Sequence, residues 1–381
     1  QTTDIGGKSV EERLAAVPSF DLMRVEPDGS AVVAGRSEAG AIIALLANGE
    51  VIGRGIANAA GEFAIVLDQP LKPGAHAVTL ETRDAEGKVN ALEDRCPHRG
   101  ARLSLGWNLG DRVACWYHGV EVKGDGVVAE VPAVSACPMT GSKCLRSYPV
   151  IEKHGAIFLW FGLDPDAEPA DLVLPEQLDS EEWSSFLCQA DWAVNYRYAV
   201  DNVMDPMHGS YLHCTSHSMA EGDKSADMRA RNTEHGFIFE KTGQTGVNFD
   251  WVEFGSSGAF WLRLSIPYRR QFGPGGEFWI VGFATPVDEH HTRVFFWRAR
   301  KVSGWQRDVW RFLYRNHLEK LHWDVLEQDR VILEQLAPNA RDHEFLYQHD
   351  VGLSRLRRLM KKTAEQQLAQ LAARQEAENH G

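Results

Sequence analysis

The chain has 381 residues, 44% of them hydrophobic and 10% aromatic, and a net charge of −13 from 40 basic and 53 acidic side chains. This composition supplies cores for two or three domains and excludes a disordered or fibrous polymer, while the acidic balance lacks the basic footprint of a nucleic-acid binder and argues against anionic membrane surfaces. The longest apolar runs, such as AIIALLA at 41–47, are far too short to span a membrane.

Residues 1–20 read as an N-terminal tail without the charged-then-apolar order of a secretory signal. Residues 21–86 are rich in strand signals: SAVVAG, AIIALLANGEVIGRGIA, GEFAIVLD and HAVTLETRD are short alternating runs separated by Gly, Asn-Gly, Asp-Gly or Pro-Gly, the grammar of hairpins. The cadence loosely resembles the small bacterial immunoglobulin-like modules, and the segment is expected to contribute early strands to the domain that follows.

From 87 to 163 the pattern is again β, with strands expected near KVNALED, RVACW, VEVKGDG, YPVIEKHG and AIFLWFG. At loop tips within it stand Cys96 and His98, two apart, and Cys115 and His118, three apart. Structural zinc sites pair like with like; here each pair mixes a thiol with an imidazole. Two thiolates on one iron and two imidazoles on the other describe a [2Fe–2S] cluster of the Rieske type, and a Cys₂His₂ zinc site is the alternative. The stretch resembles Rieske proteins, and Arg99, Gly100 and Gly119 fit tight loops whose backbone N–H groups donate to cluster sulfurs. The other cysteines, Cys137, Cys144, Cys188 and Cys214, read as ordinary thiols, with a disulfide between Cys137 and Cys144 kept open; the expected compartment is the cytoplasm.

An Asp-, Glu- and Pro-rich linker at 163–183 opens the last expected domain, 164–381, where strands such as GFIFEKTG, FWLRLSIPYRR, EFWIVGFATPV and TRVFFWRAR are followed by helical periodicity at 304–337 and 353–378. In the final helix Leu356, Leu359, Met360, Leu368 and Leu371 form one stripe. The stretch AVDNVMDPMHGSYLHCTSH, 199–217, carries His208 and His213. Five residues apart on an ideal α-helix lie roughly 140° around the axis, so the two rings converge only where the helix is bulged or broken. The aromatics between 237 and 297, Phe239, Phe249, Trp251, Phe254, Phe260, Trp261, Phe278, Trp279 and Phe283 among them, read as sheet core more than as pocket, and no position announces a charge partner for a carboxylate substrate.

Asn202, Asp205, His208 and His213 stand in the register Asn-x₂-Asp-x₂-His-x₄-His. Together with the Cys/His loops this resembles the terminal (alpha) component of Rieske non-haem iron oxygenases of the aromatic-ring-hydroxylating dioxygenase family. The resemblance implies an α+β chain: an all-β Rieske domain, then a helix-grip-like catalytic domain built on an antiparallel sheet. It implies a mononuclear Fe(II) held by His208, His213 and a carboxylate from LEQDRVILEQ, Asp329, with Asp324 as runner-up. It further implies that Asp205 bridges to a cluster histidine of a neighbouring subunit, so that the working unit is a homotrimer; an N-cap before Pro206 is the other role open to Asp205. The implied activity is hydroxylation of a small aromatic substrate with O₂ in aromatic hydrocarbon catabolism, with electrons from a ferredoxin or NAD(P)H-dependent reductase. Ring dihydroxylation is favoured, monooxygenation or oxidative O- or N-demethylation is the alternative, and an electron-transfer Rieske protein is the reading from another class.

Overall fold

The computed structural model describes residues 19–25, 31–37, 41–47, 50–67, 78–83, 89–162, 168–216, 219–256, 259–270, 273–337 and 339–380. The tail at 1–18 and the linker residues 163–167 lie outside them. The chain divides into two compact units, Gln1–Pro169 and Ala170–Gly381.

The first unit begins with β1 (Ser19–Val25), β2 (Ala31–Arg36), β3 (Ile42–Ala47), β4 (Glu50–Ile56), β5 (Glu62–Val66) and β6 (Val78–Arg83), arranged as two three-stranded sheets, β1-β2-β5 and β4-β3-β6. Strict alternation along β2 and β5 turns Val33, Phe63 and Ile65 to the same core as Ile43 and Leu45 of the other sheet. This segment therefore buries its own apolar cluster. β1 went unread in the sequence: its residues from Asp21 to Val25 are all exposed, so no apolar alternation marks it.

A second β cluster follows, with β7 (Ala91–Leu92), β8 (Trp107–Asn108), β9 (Arg112–Ala114), β10 (Glu121–Lys123), β11 (Val128–Glu130), β12 (Ser147–Tyr148), β13 (Val150–Lys153) and β14 (Ala156–Leu159). They pair as β11-β10-β9-β8, β12-β7 and β13-β14. His154 and Gly155 join the last two at φ 54° and 78°, the positive pair that a tight hairpin turn requires. Cys96 and Cys115 belong to the core of this cluster, with Leu103, Val120, Val122, Val128 and Leu145.

The second unit holds α1 (Glu176–Asp179), β15 (Trp183–Trp192), α2 (Tyr196–Val203), β16 (Met228–Asn232), β17 (Gly236–Lys241), β18 (Trp251–Gly255), β19 (Trp261–Ile266), β20 (Phe278–Pro286) and β21 (Thr292–Lys301). After the sheet come α3 (Gly304–Leu313), a π-helical turn at Tyr314–Leu318, α4 (Glu319–Glu334), α5 (Ala340–His343) and α6 (Val351–His380). The seven strands form one antiparallel sheet in the order β15-β21-β20-β19-β18-β17-β16. β15 pairs with β21 over ten residues, from Trp183 opposite Lys301 to Trp192 opposite Thr292. The inner face of the sheet packs Phe237, Phe239, Phe254, Leu264 and Phe278 against Trp310, Tyr314, Leu318 and Leu356 of the helices. The fold is thus α+β, a β-rich first unit followed by a helix-covered antiparallel sheet.

Candidate metal centres

The two Cys/His loops are built alike. Cys96 N–H donates to Ala101 O at 2.7 Å and Gly100 N–H to Cys96 O at 2.9 Å; Cys115 N–H donates to Val120 O at 2.8 Å and Gly119 N–H to Cys115 O at 2.9 Å. Each five-residue loop closes on a glycine in the left-handed region, Gly100 at φ 76° and Gly119 at φ 71°, a conformation without penalty only for glycine. The thiols are 2% and 1% exposed, whereas His98 and His118 are exposed and their rings stand 4.6 Å apart. Burial pushes the Cys96 thiol up; N–H groups of His98 and Arg99 that bond its sulfur favour the thiolate, and Cys115 beside it opposes. Adjacent buried sulfurs with two imidazoles at the surface suit a cluster whose inner iron takes the thiolates and whose outer iron takes the histidines. Cys137, Cys144, Cys188 and Cys214 form no disulfide, so the bridge kept open between the first two is absent.

The second site is assembled from α2, the turn after it, and α4. Asn195 caps α2, its Oδ1 accepting Arg197 N–H at 3.0 Å. The chain leaves the α-helix at Met204, and Asp205 Oδ1 accepts Met207 N–H at 2.8 Å, a local turn that carries the backbone into a short 3₁₀ segment at His208–Ser210. Leaving the helix here brings the rings of His208 and His213 together, 5.1 Å apart and 74° between planes. Gly209 makes the turn close to its neighbours: a Cβ there would meet Asn248 Oδ1 at 3.1 Å and Phe249 Cβ at 3.3 Å. From α4, Asp329 Oδ1 reaches within 3.5 Å of His208 Nε2 and 3.2 Å of His213 Nε2. Ligand atoms of the three residues all lie within 4.8 Å of one another.

Their outer partners fix the orientation. His213 Nδ1–H donates to Gln328 Oε1 at 2.8 Å, and Asn202 Nδ2 donates to Asp329 Oδ1 at 3.0 Å. Burial disfavours the His213 cation, yet Asp329 and Gln328 outweigh it and hold the metal-free ring above the ordinary histidine range. His208 Nδ1 is buried with no hydrogen bond, and Asp205 Oδ2 stands 4.0 Å from it. Asp324 does not join the site; it pairs with Lys320 at 3.1 Å on the exposed face of α4. Glu334 is also elsewhere, its Oε1 accepting Ala193 N–H at 2.8 Å where β15 ends. A polar network backs the histidine turn: Lys241 Nζ donates to Ser210 Oγ at 3.0 Å, and Asp250 accepts from Gln244 and from Val247 N–H.

An apolar cavity of about 120 Å³ opens on the triad. Of the aromatics read as core, Phe249, Phe278 and Phe283 line it, whereas Phe239, Phe254 and Trp261 are buried outside it and Phe260 is exposed. Val325, Leu326 and His322 of α4 and Leu264, Ile266 and Phe296 of the sheet complete much of the wall. The sequence announced no charge partner for a carboxylate substrate; Arg298, a buried guanidinium on β21, lines this cavity. Gln328 and Arg298 both escaped the sequence reading. Gln328 sits beside Asp329 inside the stretch LEQDRVILEQ, and Arg298 shares the cavity-lining face of its strand with Val294 and Phe296 at a period of two, so both carried a signal that spacing alone did not interpret.

Three domain families match the chain: a bacterial Ig domain over residues 20–93, a Rieske [2Fe–2S] domain over 67–149, and the vanillate O-demethylase oxygenase C-terminal domain over 192–366. Among curated relatives, the toluene-4-sulfonate monooxygenase iron–sulfur subunit of Comamonas testosteroni is 37% identical over 35% of this chain and 38% of its own length. The vanillate O-demethylase oxygenase subunit of a Pseudomonas species is 38% identical over 38% of this chain and 40% of its own. The chain thus spans about two fifths of the length of these relatives. Among solved structures, dicamba monooxygenase bound to dicamba superposes with a TM-score of 0.59 at 22% identity, covering 75% of this chain and 90% of that one. The oxygenase of carbazole 1,9a-dioxygenase in complex with its ferredoxin gives 0.57 at 20% identity, covering 72% and 81%; at these identities the likeness is one of fold. With a Rieske domain ahead of a catalytic domain of the vanillate O-demethylase type, and an Ig domain ahead of both, the chain belongs to the Rieske non-haem iron oxygenases, proteins that carry a [2Fe–2S] cluster and a mononuclear iron.

Proposed function

We propose that the chain is the terminal oxygenase component of a multicomponent system that oxygenates a small aromatic substrate with O₂, using electrons from an NAD(P)H-dependent reductase, directly or through a ferredoxin. The meeting of His208, His213 and Asp329 at the wall of an apolar cavity carries this reading. Two imidazoles and one carboxylate on one side of an Fe(II) leave its other positions open. In this assignment Cys96, His98, Cys115 and His118 hold the [2Fe–2S] cluster, and His208, His213 and Asp329 hold the mononuclear iron. The iron, when bound, supplies O₂ activation with electrons relayed by the cluster. The chain's own residues position: Gln328 keeps the His213 proton on Nδ1 so that Nε2 is free to ligate, Asn202 steadies the Asp329 carboxylate, and the apolar wall orients an aromatic ring and excludes water.

Monooxygenation or oxidative demethylation is the outcome we favour, supported by the vanillate O-demethylase type of residues 192–366 and by relatives named as a monooxygenase and a demethylase. Ring dihydroxylation, the outcome expected from the sequence, uses the same ligands. Asp205, with an orphaned His208 Nδ1 behind it, is assigned to bridge the two metal sites between neighbouring copies in a homotrimer. The cytoplasm is the assigned compartment, since it supplies the reduced nicotinamide that the partner reductase consumes. Incubating the iron-loaded chain with a generic reductase, NADH and a panel of methoxylated and methylated arenes tests the proposal. Formaldehyde or a mono-hydroxylated product that requires O₂ and disappears in His213→Ala, with the cluster absorption retained, is expected. A dihydrodiol would return the reaction to ring dihydroxylation; a reduced cluster with no O₂-dependent product from any probe would leave an electron carrier, and a His213→Ala variant as active as the wild type would remove His213 from the site.

A further inference from the structure

The oxygenase reading leaves Arg298 unexplained. Its side chain is 1% exposed on the inner face of β21, in the wall of the cavity that holds the triad. Nη1 donates to the Tyr314 hydroxyl, whereas Nη2 is buried and donates to nothing. Among the described residues no carboxylate pairs with it. A guanidinium stays charged even when buried and cannot escape the penalty by losing a proton. The rings of Phe296, Trp323 and Tyr314, 4.8, 5.0 and 5.9 Å from its Cζ, offer π-faces that offset part of the lost hydration but satisfy no N–H. Two other arginines of this unit do have carboxylate partners: Arg263 pairs with Glu253 at 2.6 Å, and Arg357 with Asp201 at 2.7 Å. A buried donor without an acceptor, on a residue that lines a cavity, is the feature that an incoming anion would complete.

The position along the cavity fits such a ligand. His322, Val325, Leu326 and Asp329 share the cavity face of α4 at helical spacing. Arg298 packs on Trp323 and bonds Tyr314, whose ring is 5.4 Å from that of His322, so it stands at the His322 end of this stripe. Asp329 lies seven residues further on, roughly 10 Å along the axis at 1.5 Å per residue. One aromatic ring substituted at opposite ends bridges that span. We infer that the substrate is an aromatic anion, a carboxylate or sulfonate that accepts from Arg298 while the far end of its ring faces His208, His213 and Asp329. This inference rests on the oxygenase reading and names its substrate class.

Calorimetric titration of the iron-loaded chain, without O₂, with 4-methoxybenzoate, 4-methoxybenzenesulfonate and the uncharged 4-methoxybenzamide tests it. At least one anion is expected to bind tenfold or more tightly than the amide. In Arg298→Met that advantage should fall below threefold through loss of anion affinity alone, and Arg298→Lys should restore part of it. The relative strength of the two anions assigns the carboxylate or the sulfonate. Equal binding of all three probes by the wild type, binding of neither anion, or an undiminished preference in Arg298→Met would overturn the inference; the wild-type comparison decides even where the variant fails to fold. Iron analysis of the same samples keeps the readings apart: a chain that prefers anions but holds iron only in its cluster retains the anion site and loses the oxygenase assignment.

Discussion

The Nδ1–H of His213 donates to Gln328 Oε1 at 2.8 Å, which leaves Nε2, 3.2 Å from Asp329 Oδ1, as the atom with a lone pair for a metal. A ligand oriented in this way loses less freedom when the metal arrives, and removing such an outer partner weakens metal binding about 10–100-fold. Gln328→Leu is therefore expected to lower affinity for the mononuclear iron by that factor, measured by competition with a chelator, while the visible spectrum of the cluster is unchanged. Gln328→Glu, which keeps an acceptor at the same reach, should recover most of the loss; a Gln328→Leu chain with wild-type affinity would deny the residue this role. At the cluster, Gly119 at φ 71° has Pro132 Cγ 3.4 Å from where a Cβ would stand. The space is adequate but the backbone region is not, so Gly119→Ala should destabilise by about 1–2 kcal/mol. Thermal melting with the cluster absorbance as readout checks this, a fall in the midpoint being expected.

Among the elements, the helical run from α3 through the π-helical turn into α4 shows what local sequence conveys and what it hides. Trp310, Tyr314, Leu318 and His322 recur every four residues and are all buried, although steps of four drift around an α-helix of 3.6 residues per turn. The π-helical turn at Tyr314–Leu318 widens the winding where the drift would carry the stripe off the sheet. Helical periodicity at 304–337 was legible, but the widened turn was not, because it answers to the sheet beneath. β15 was illegible for a related reason: WSSFLCQADW buries Ser184, Phe186 and Cys188 through pairing with β21, a strand more than a hundred residues away, while its polar letters continue the acidic linker. The ligands were easier to read, since their spacing is set by the metals they would hold. Lys241 lies between these extremes, a buried lysine on β17 that bonds Ser210 behind the histidine turn. Burial holds its pKa below the ordinary lysine value of 10.5, despite Asp250, Asp205 and Asp223. In the interval between the lowered value and 10.5 the unfolded chain binds more protons than the folded one, so stability rises with pH there. Urea unfolding of wild type and Lys241→Met at pH 7 and pH 9.5 should show the wild type gaining on the variant at the higher pH. A difference independent of pH would mean that the lysine titrates normally.

Under the proposed function each of the two units would hold one metal site, and electrons would have to pass from one site to the other. The motif register and the family resemblance singled out the residues that the structure brings together at His208, His213 and Asp329, whereas the paths outward from them depend on single atoms that no spacing reports. Asp205 is such a case. One carboxylate oxygen is engaged by Met207 N–H, and the other faces the unbonded Nδ1 of His208 at 4.0 Å. The side chain remains 35% exposed, and Tyr347, held up foremost by burial and then by the negative charge of Asp205, lies exposed nearby with Tyr211. A carboxylate that stands 4.0 Å from the ring of His208 on one side and is partly exposed beside Tyr347 on the other would, under the proposed function, be suited to receive an imidazole N–H from a second copy. Asp205→Asn keeps the size and the Met207 contact but removes the charge that would orient two imidazoles. The variant is expected to retain both metal sites and to accept electrons into its cluster at the wild-type rate. On exposure of the reduced, substrate-loaded protein to O₂, cluster reoxidation and product formation should slow together by at least tenfold, as followed by stopped-flow absorbance and quenched product analysis. Loss of mononuclear iron in the variant would instead make Asp205 a support for His208. Reoxidation at the wild-type rate would mean that electrons reach the iron by another route.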